Sequence, residues 1–447
     1  MLEMFLSSDD VKALTDWLLA RSRADACVVS ISGGETQNLR FARGSATTNI
    51  AGSEVRVRVS SHVGGRVGSV STTSLDDTEL AAALARSEEI ARLLPVDPEY
   101  VAPLGPQNYS ESRRYDPSTG DLRLDALAAK VDAAAKACDA RGVDAFGCAA
   151  SGRRFEAMAT SNGLFAYDPR GEIELSATAR NKADSWSGWA GANCLAAHQL
   201  DASAVGRRAA EKAAHDEEPV DLEPGDYPVV FEPAATAELA SWLIHALDAR
   251  AADEGRSFFS RPGGGARQGE LLFDEKLTLR VDPGDNLAPS GALSFEGVPH
   301  RARGFIAKGV VENFYRSRAW AQKTDAEAVP HSASFHMTGG GASLEDMIRG
   351  TKRGVLVTRL WYTNWLDPRE LLLTGLTRDG NFLIENGRVT SPVRNMRFNE
   401  SLASLFKKIE ALGPSERVWS AFHEGGACAA PPILVERFSF ASRSSGI

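Results

Sequence analysis

The sequence predicts a two-domain α+β protein, with an N-terminal antiparallel sheet carrying helices and a C-terminal, mostly β domain with a few helices. Three observations carry this expectation. Val55, Val57 and Val59 alternate with Arg56 and Arg58, the period of a half-buried strand. Leu80, Leu84, Ile90 and Leu94 recur on one side of a helix. Ahead of a β-rich second half lies His215-Asp-Glu-Glu-Pro-Val-Asp-Leu-Glu-Pro-Gly-Asp, an acidic stretch whose prolines and glycine mark a linker. The boundary is placed there, with 1–220 as the first domain and 221–447 as the second.

In chain order, Ser7 and Ser8 precede Val11, Leu14 and Leu18, an N-cap signal ahead of helical spacing. Cys27-Val-Val-Ser-Ile-Ser then reads as a strand. From Asn38 to Thr73 the pattern is that of an antiparallel meander, with Gly64-Gly65 offering a turn before Val67 and Val70. A helix is expected from Asp77 to Leu94, where Pro95 stops it. Another spans Leu122 to Ala140, carrying Leu124, Leu127, Val131 and Cys138 and ending at Gly142. Short strands are expected between Phe146 and Ala196, and a helix after Asp201. The second half opens with a strand, Tyr227 to Phe231, and a helix over Ala234 to Ala251, then turns to strands and loops. Its last helix is expected where Leu402, Leu405, Phe406, Ile409 and Leu412 share a face before Gly413-Pro414. No short-period repeat is present.

A length of 447 residues gives about two or three domains. Hydrophobic residues at 43% and charged residues at 24% exclude wholesale disorder, a collagen-like chain and a disulfide scaffold. The 50 basic and 59 acidic residues leave a net charge of -9, which repels a phosphate backbone and disfavours nucleic-acid binding. No apolar run reaches the roughly 18 to 20 residues of a membrane helix, and Met1-Leu-Glu-Met-Phe-Leu is acidic with no basic n-region. The expected location is the cytoplasm. Cys27, Cys138, Cys148, Cys194 and Cys428 are odd in number and lack C-x-x-C spacing, which argues for free thiols over disulfides or a zinc knuckle.

Thr351-Lys-Arg-Gly-Val-Leu-Val-Thr-Arg-Leu, followed by Asn381-Phe-Leu-Ile-Glu-Asn-Gly-Arg-Val-Thr-Ser-Pro-Val-Arg, resembles the C-terminal half of the TldD/PmbA family in order and spacing. Near the front, Asn38-Leu-Arg-Phe-Ala-Arg-Gly and the Val55 meander are similar to that family's N-terminal domain. Asp367-Pro-Arg-Glu-Leu-Leu-Leu-Thr-Gly is similar to the family's stretch before the Asn381 segment. The resemblance spans nearly the whole chain. It implies a cytoplasmic prokaryotic protein of two α+β domains, from a family first named for modulating DNA gyrase and now regarded as metalloproteases. It also implies a heterodimer as the active form, with a zinc-bearing TldD subunit and a zinc-free TldE (PmbA) subunit.

The family's catalytic pattern is H-E-x-x-x-H on the first helix of the second domain, with a cysteine near the C-terminus as third zinc ligand. Aligning Gly255-Arg-Ser-Phe-Phe and counting back places His245 at the second histidine, Ala240 at the first and Ser241 at the glutamate. A catalytic zinc commonly has three protein ligands, and the glutamate would take the proton from metal-bound water; alanine and serine stand in their places. Read on helical geometry alone, Glu238, Ser241, His245 and Asp248 form a polar stripe opposite Leu239, Leu243, Ala246 and Leu247. A five-residue ligand spacing lies about 140° apart on an ideal helix, and Trp242-Leu-Ile offers no glycine to break it. His245 is therefore expected as a solvated or hydrogen-bonded helix residue.

Cys428, in Gly425-Gly-Ala-Cys-Ala-Ala-Pro-Pro-Ile-Leu-Val, sits where the resemblance implies the third ligand; by itself it reads as a small buried residue. The expected degenerate site is lined by Ala240, Ser241, His245, Asp248 and Cys428. This chain is expected to hold no catalytic residue, cofactor or metal, with zinc in a TldD-like partner. An alternative metal set is His245, His423 and Cys428.

The remaining features are expected to be structural. Gly263-Gly-Gly-Ala-Arg and Gly339-Gly-Gly-Ala-Ser-Leu-Glu-Asp do not match a phosphate-binding loop, and in the second Ser343 and Asp346 read as a capping box. Arg56, Arg58 and Arg301-Ala-Arg read as solvated; Trp186, Trp189 and Trp320 read as core or interface. No G-x-S-x-G occurs. The expected function is that of a non-catalytic TldE-like subunit, paired with a TldD-like chain or with itself, that helps to enclose unfolded peptides. The competing expectations are a homodimeric metallopeptidase with an unorthodox metal site and a binding protein that modulates DNA gyrase.

Overall fold

The computed structural model describes residues 4–183, 185–215, 217–419 and 426–444. Ser7 closes a capping box with Asp10 and opens α1 (Ser8–Leu19). β1 (Ala26–Ala42), β2 (Ser45–Val63) and β3 (Arg66–Thr72) form the expected meander, turned by Gly64 and Gly65 at positive φ. Asp76 caps α2 (Asp77–Leu93) through Thr78 and Glu79. α3 (Pro117–Gly120), α4 (Leu124–Asp139), β4 (Asp144–Thr160), β5 (Phe165–Arg180), β6 (Ser187–Cys194) and α5 (Ala202–Ala213) complete this half. The six strands make one sheet in the order β3-β2-β1-β4-β5-β6, antiparallel throughout.

Side chains alternate along each strand, so one face of this sheet is apolar. Val55, Val57 and Val59 of β2 pack with Leu18 of α1 and Leu80 and Leu84 of α2. Further along, Ile173 and Leu175 of β5 receive Leu127 and Val131 of α4 and Val205 of α5. Gly206 permits the close approach of α5 to α4, since a Cβ there would lie 2.3 Å from the Ala134 carbonyl. The other face of β5 carries Arg170, Glu172 and Glu174 and turns toward the second half.

The second half begins with β7 (Gly225–Phe231), α6 (Pro233–His245) and α7 (Ala249–Asp253). It continues through β8 (Leu279–Val281), β9 (Arg303–Ala307), β10 (Val310–Val311), α8 (Arg318–Thr324) and β11 (Phe335–Met337). Ser343 and Asp346 close the expected capping box on α9 (Leu344–Gly350). β12 (Arg353–Asp367), β13 (Leu372–Glu385), β14 (Arg388–Pro392), β15 (Met396–Ser401) and α10 (Leu402–Leu405) follow. The last elements are β16 (Ile409–Leu412), β17 (Glu416–Val418), β18 (Cys428–Ala430) and β19 (Ile433–Arg443).

β12, β7, β19, β15 and β13 pair in turn, and β12 also pairs β13, which closes the circuit. Phe438 meets Phe231 and Phe398 in its core at ring distances of 5.0 and 5.1 Å. A second sheet runs β10-β9-β8-β11-β18-β17. α6 packs against β7 and β12 of the first and β11, β17 and β18 of the second.

Two expected elements differ. The single helix over 234–251 is two, because Leu247 O and Ala249 N both bond the Tyr315 backbone at 2.8 Å and Asp248 caps a new helix. The helix expected across Leu402 to Leu412 is the short α10 followed by strand β16. All five apolar residues are buried, yet Ile409 and Leu412 lie beside Val435 and Ile433 of β19; strand pairing overrides the helical period. The linker is also anchored: Val220 bridges Val393, and Leu222 enters the second half's core. The tryptophans 186, 189 and 320 are buried, all five cysteines are free, and no helix among the described residues is long and apolar enough to cross a membrane.

Candidate functional site

α6 opens at Pro233, whose missing N–H is no loss in a first helical turn. Because two sheets cover it, the helix is buried almost all round: Leu239, Ala240, Leu243 and Ile244 lie in the core, and Glu238 and Ser241 are buried beside them. The polar stripe is thus not a wet face. Glu238 accepts from Trp242 Nε1 at 3.2 Å, and burial raises its carboxyl to about 7. Asp248 has left the helix and accepts from Ala251 N at 2.6 Å as the cap of α7.

His245 ends α6 with its Nδ1 2.6 Å from the Ser241 carbonyl, one turn back. A carbonyl only accepts, so Nδ1 carries a proton; burial lowers the pKa of the ring and favours the neutral form. Sequence reasoning missed its neighbour. The His331 ring lies between His245 and Tyr315, 4.7 Å from each centroid. Burial, then the charges of His245 and His300, pull His331 down to about 4. Residue 331 lies in the loop between α8 and β11, so only the tertiary fold connects it to 245.

Ser241, His245 and Asp248 border one open cavity of about 460 Å³, together with Trp242, Arg256 and Trp365. Ala240 and Cys428 lie away from it. Ala240 is in the core, and Cys428 is buried in β18 beside Phe335 of β11. The Cys428 Sγ faces the Ala333 carbonyl at 3.9 Å, and burial holds the thiol far above its ordinary pKa, so it is protonated. His423, of the alternative metal set, lies outside the described residues.

These side chains do not fit a zinc ion, which takes thiolate, neutral imidazole nitrogen and carboxylate converging at one point. The Nδ1–H of His245 on a carbonyl is the orientation a ligating imidazole commonly takes, but no second donor joins it: Asp248 caps α7 and Cys428 lies away from the cavity that His245 borders. No three His, Cys, Asp or Glu side chains converge on a metal position among the described residues. What the arrangement supplies is a wall of two aromatic rings, Trp242 and Trp365, with the polar side chains of Ser241, His245, Asp248 and Arg256 around it.

Residues 27–91 match PmbA/TldA metallopeptidase domain 1, residues 115–215 its central domain and residues 224–442 its C-terminal domain. Among solved structures, TldE from Thermococcus kodakarensis superposes with a TM-score of 0.83 at 19% identity, over 98% of this chain and 100% of that one. A protein named as a modulator of a DNA gyrase from Thermotoga maritima gives 0.82 at 18%, over 96% and 100%. A like-named protein from Bacteroides thetaiotaomicron gives 0.80 at 22%, over 97% and 99%. At these identities the likeness is one of fold. No curated protein matches the sequence. With its three domains matched in order along one chain, the protein belongs to the PmbA/TldD family.

Proposed function

We propose that this chain is the non-catalytic, TldE-like subunit of a cytoplasmic heterodimeric peptidase, pairing with a zinc-bearing TldD-like chain and helping to enclose unfolded peptides. The observation that carries the reading is the surroundings of α6: Ala240, which the family resemblance aligns with the first ligand, is sealed in the core, and Cys428 lies away from the cavity that Ser241 and His245 border. Without convergent ligands among the described residues, α6 offers no metal position at which water would be activated. Its open cavity, walled by Trp242 and Trp365, still offers contact surface to an extended chain.

The test is to purify the chain alone and after co-expression with a TldD-like protein, measuring zinc by elemental analysis and cleavage of a flexible peptide. Alone it should carry far less than one zinc per chain and cleave nothing; together the two should co-purify and cleave. A stoichiometric zinc in the isolated chain, lost in His245→Ala, would instead establish the homodimeric metallopeptidase. Salt-dependent binding to DNA or gyrase without peptide binding would favour the gyrase-modulating role.

A further inference from the structure

The strand β5 alternates two chemistries. Ile173 and Leu175 point into the helices, while Asp168, Arg170, Glu172 and Glu174 occupy the opposite face. Register sets Arg154, Gly152 and Ala150 of β4 beside Arg170, Glu172 and Glu174, with Gly34, Thr36 and Asn38 of β1 beyond them. Small residues thus form a floor between charged walls. The second half closes over it with Arg417 and Trp419, leaving a cleft of about 530 Å³.

Three of the four arginines at this cleft are engaged. Arg114 pairs with Asp168 at 2.8 Å, and Arg170 lies 3.6 Å from Glu156. Arg417 donates to Asn193 Oδ1 at 2.7 Å, while Asn193 Nδ2 donates to Glu172 Oε2 at 2.9 Å, so Arg417 and Glu172 share one bridge. Arg154 differs: it is exposed to the cleft and makes no hydrogen bond or ion pair among the described residues, although Glu174 and Arg170 lie within range of its charge. Burial, then Glu172, raise Glu174 to about 7, which leaves it half-protonated near neutral pH. Among the described residues, the other pairings therefore leave Arg154 without a hydrogen bond or ion pair, with Glu174 as the carboxyl whose charge it feels.

We propose that this cleft is a carboxylate subsite, in which Arg154 holds one carboxylate of an extended polypeptide, either an Asp or Glu side chain or the C-terminal group. The guanidinium fork matches the two oxygens of a carboxylate, and the Trp419 ring flanks the neighbouring backbone. A polyanion is the wrong ligand, because Glu172 and Glu174 line the same walls and, among the described residues, Arg154 is the one guanidinium of the cleft without an ion pair or hydrogen bond. The inference rests on the peptide-binding role proposed above and names the chemistry of the substrate.

The experiment is calorimetry on the full chain with three octapeptides of Gly and Ser. One carries a central Glu and an amidated end, one a central Gln and an amidated end, and one a central Gln and a free carboxyl end. Either carboxylate peptide should bind roughly tenfold or more tightly than the neutral one, as expected for a charge-assisted bond. Whichever of the two gains identifies the source of the carboxylate. Arg154→Gln should abolish the difference at unchanged melting temperature, and Arg154→Lys should keep part of it. Equal binding of all three, no binding at all, a preference that survives Arg154→Gln, or tighter binding of inorganic phosphate would overturn the proposal. Co-purification with a TldD-like chain is scored separately: pairing without a carboxylate preference sinks the subsite alone, and preference without pairing sinks the subunit reading alone.

Discussion

Lys212 Nζ lies 2.7 Å from Glu232 Oε2, joining the last turn of α5 to the residue that precedes Pro233 at the start of α6. Both side chains are largely buried, at 13% and 7% exposure, and Lys212 also donates to the Trp189 carbonyl at 3.0 Å. Trp186 Nε1 donates to the Lys212 carbonyl at 2.7 Å. The helix that carries Ser241 and His245 is therefore tied at its first turn to the N-terminal half.

Removing one partner of such a pair leaves a buried charge without compensation, which costs about 3 to 5 kcal/mol, whereas removing both is far milder. Lys212→Met should lower the urea midpoint strongly, and Lys212→Met with Glu232→Gln should recover most of the loss. A single substitution within about 0.5 kcal/mol of the parent would show that the clamp is not energetically coupled.

Glu238 makes stability fall toward alkaline pH. Its carboxyl rises from the ordinary 4.5 to about 7 because it is buried. Between those values the native state holds a proton that the unfolded state has lost, so stability drops as pH rises through that window and stays lower above it. A shift of this size corresponds to about 3 kcal/mol. Glu238→Gln keeps an acceptor for Trp242 Nε1 and removes the titration. Denaturation curves of parent and variant should differ least near pH 4.5 and separate in the variant's favour by about pH 8. A constant offset at every pH would exclude Glu238 as the titrating group.

Much of the fold is legible wherever one local rule acts alone. The Val55 to Val59 alternation, the Ser7 and Ser343 caps and the Gly64-Gly65 turn each need nothing beyond their neighbours. Legibility fails where a distant partner decides. Ile409 to Leu412 has helical spacing but a waiting strand, and the 234–251 helix breaks because Tyr315 binds the backbone on both sides of Asp248. At the candidate site, a hydrogen-bonded His245 on its helix and a buried Cys428 are legible, but His331 is not, and nothing local shows that two sheets bury the polar stripe of α6. The charged face of β5 did leave a signal: Asp168, Arg170, Glu172 and Glu174 alternate with apolar residues only in part, a pattern that marks a strand facing a polar cleft.

The boundary proposed between residues 215 and 226 has a sharper expectation now. Val220 N donates to the Pro392 carbonyl at 2.8 Å and Leu222 is 4% exposed, whereas Glu217 and Glu218 are exposed. Backbone that is paired and buried resists proteases. A Glu-specific protease should therefore cut first after Glu217, since Pro219 shields the bond after Glu218, giving two fragments that remain associated through the Lys212 clamp until denatured. Early cuts inside α4 or α6 would show that the halves are not the units of folding.

Restoring the family's residues on α6 should not restore a metal site. Ala240 has no exposed surface and sits among Leu239, Leu243 and Ile244, so Ala240→His forces an imidazole into a filled core. Overpacking and a buried polar ring together cost about 2 to 4 kcal/mol. Ser241→Glu adds a carboxylate at a buried position next to Glu238, which is itself already raised by burial. The third donor is no better placed, since Cys428 is a protonated thiol away from the cavity that His245 borders. The Ala240→His/Ser241→Glu chain should therefore melt well below the parent and take up little zinc by elemental analysis. Zinc bound tightly at about one per chain, with hydrolysis of a flexible peptide, would mean that α6 already holds catalytic geometry and that its loss of function lies in those two residues alone.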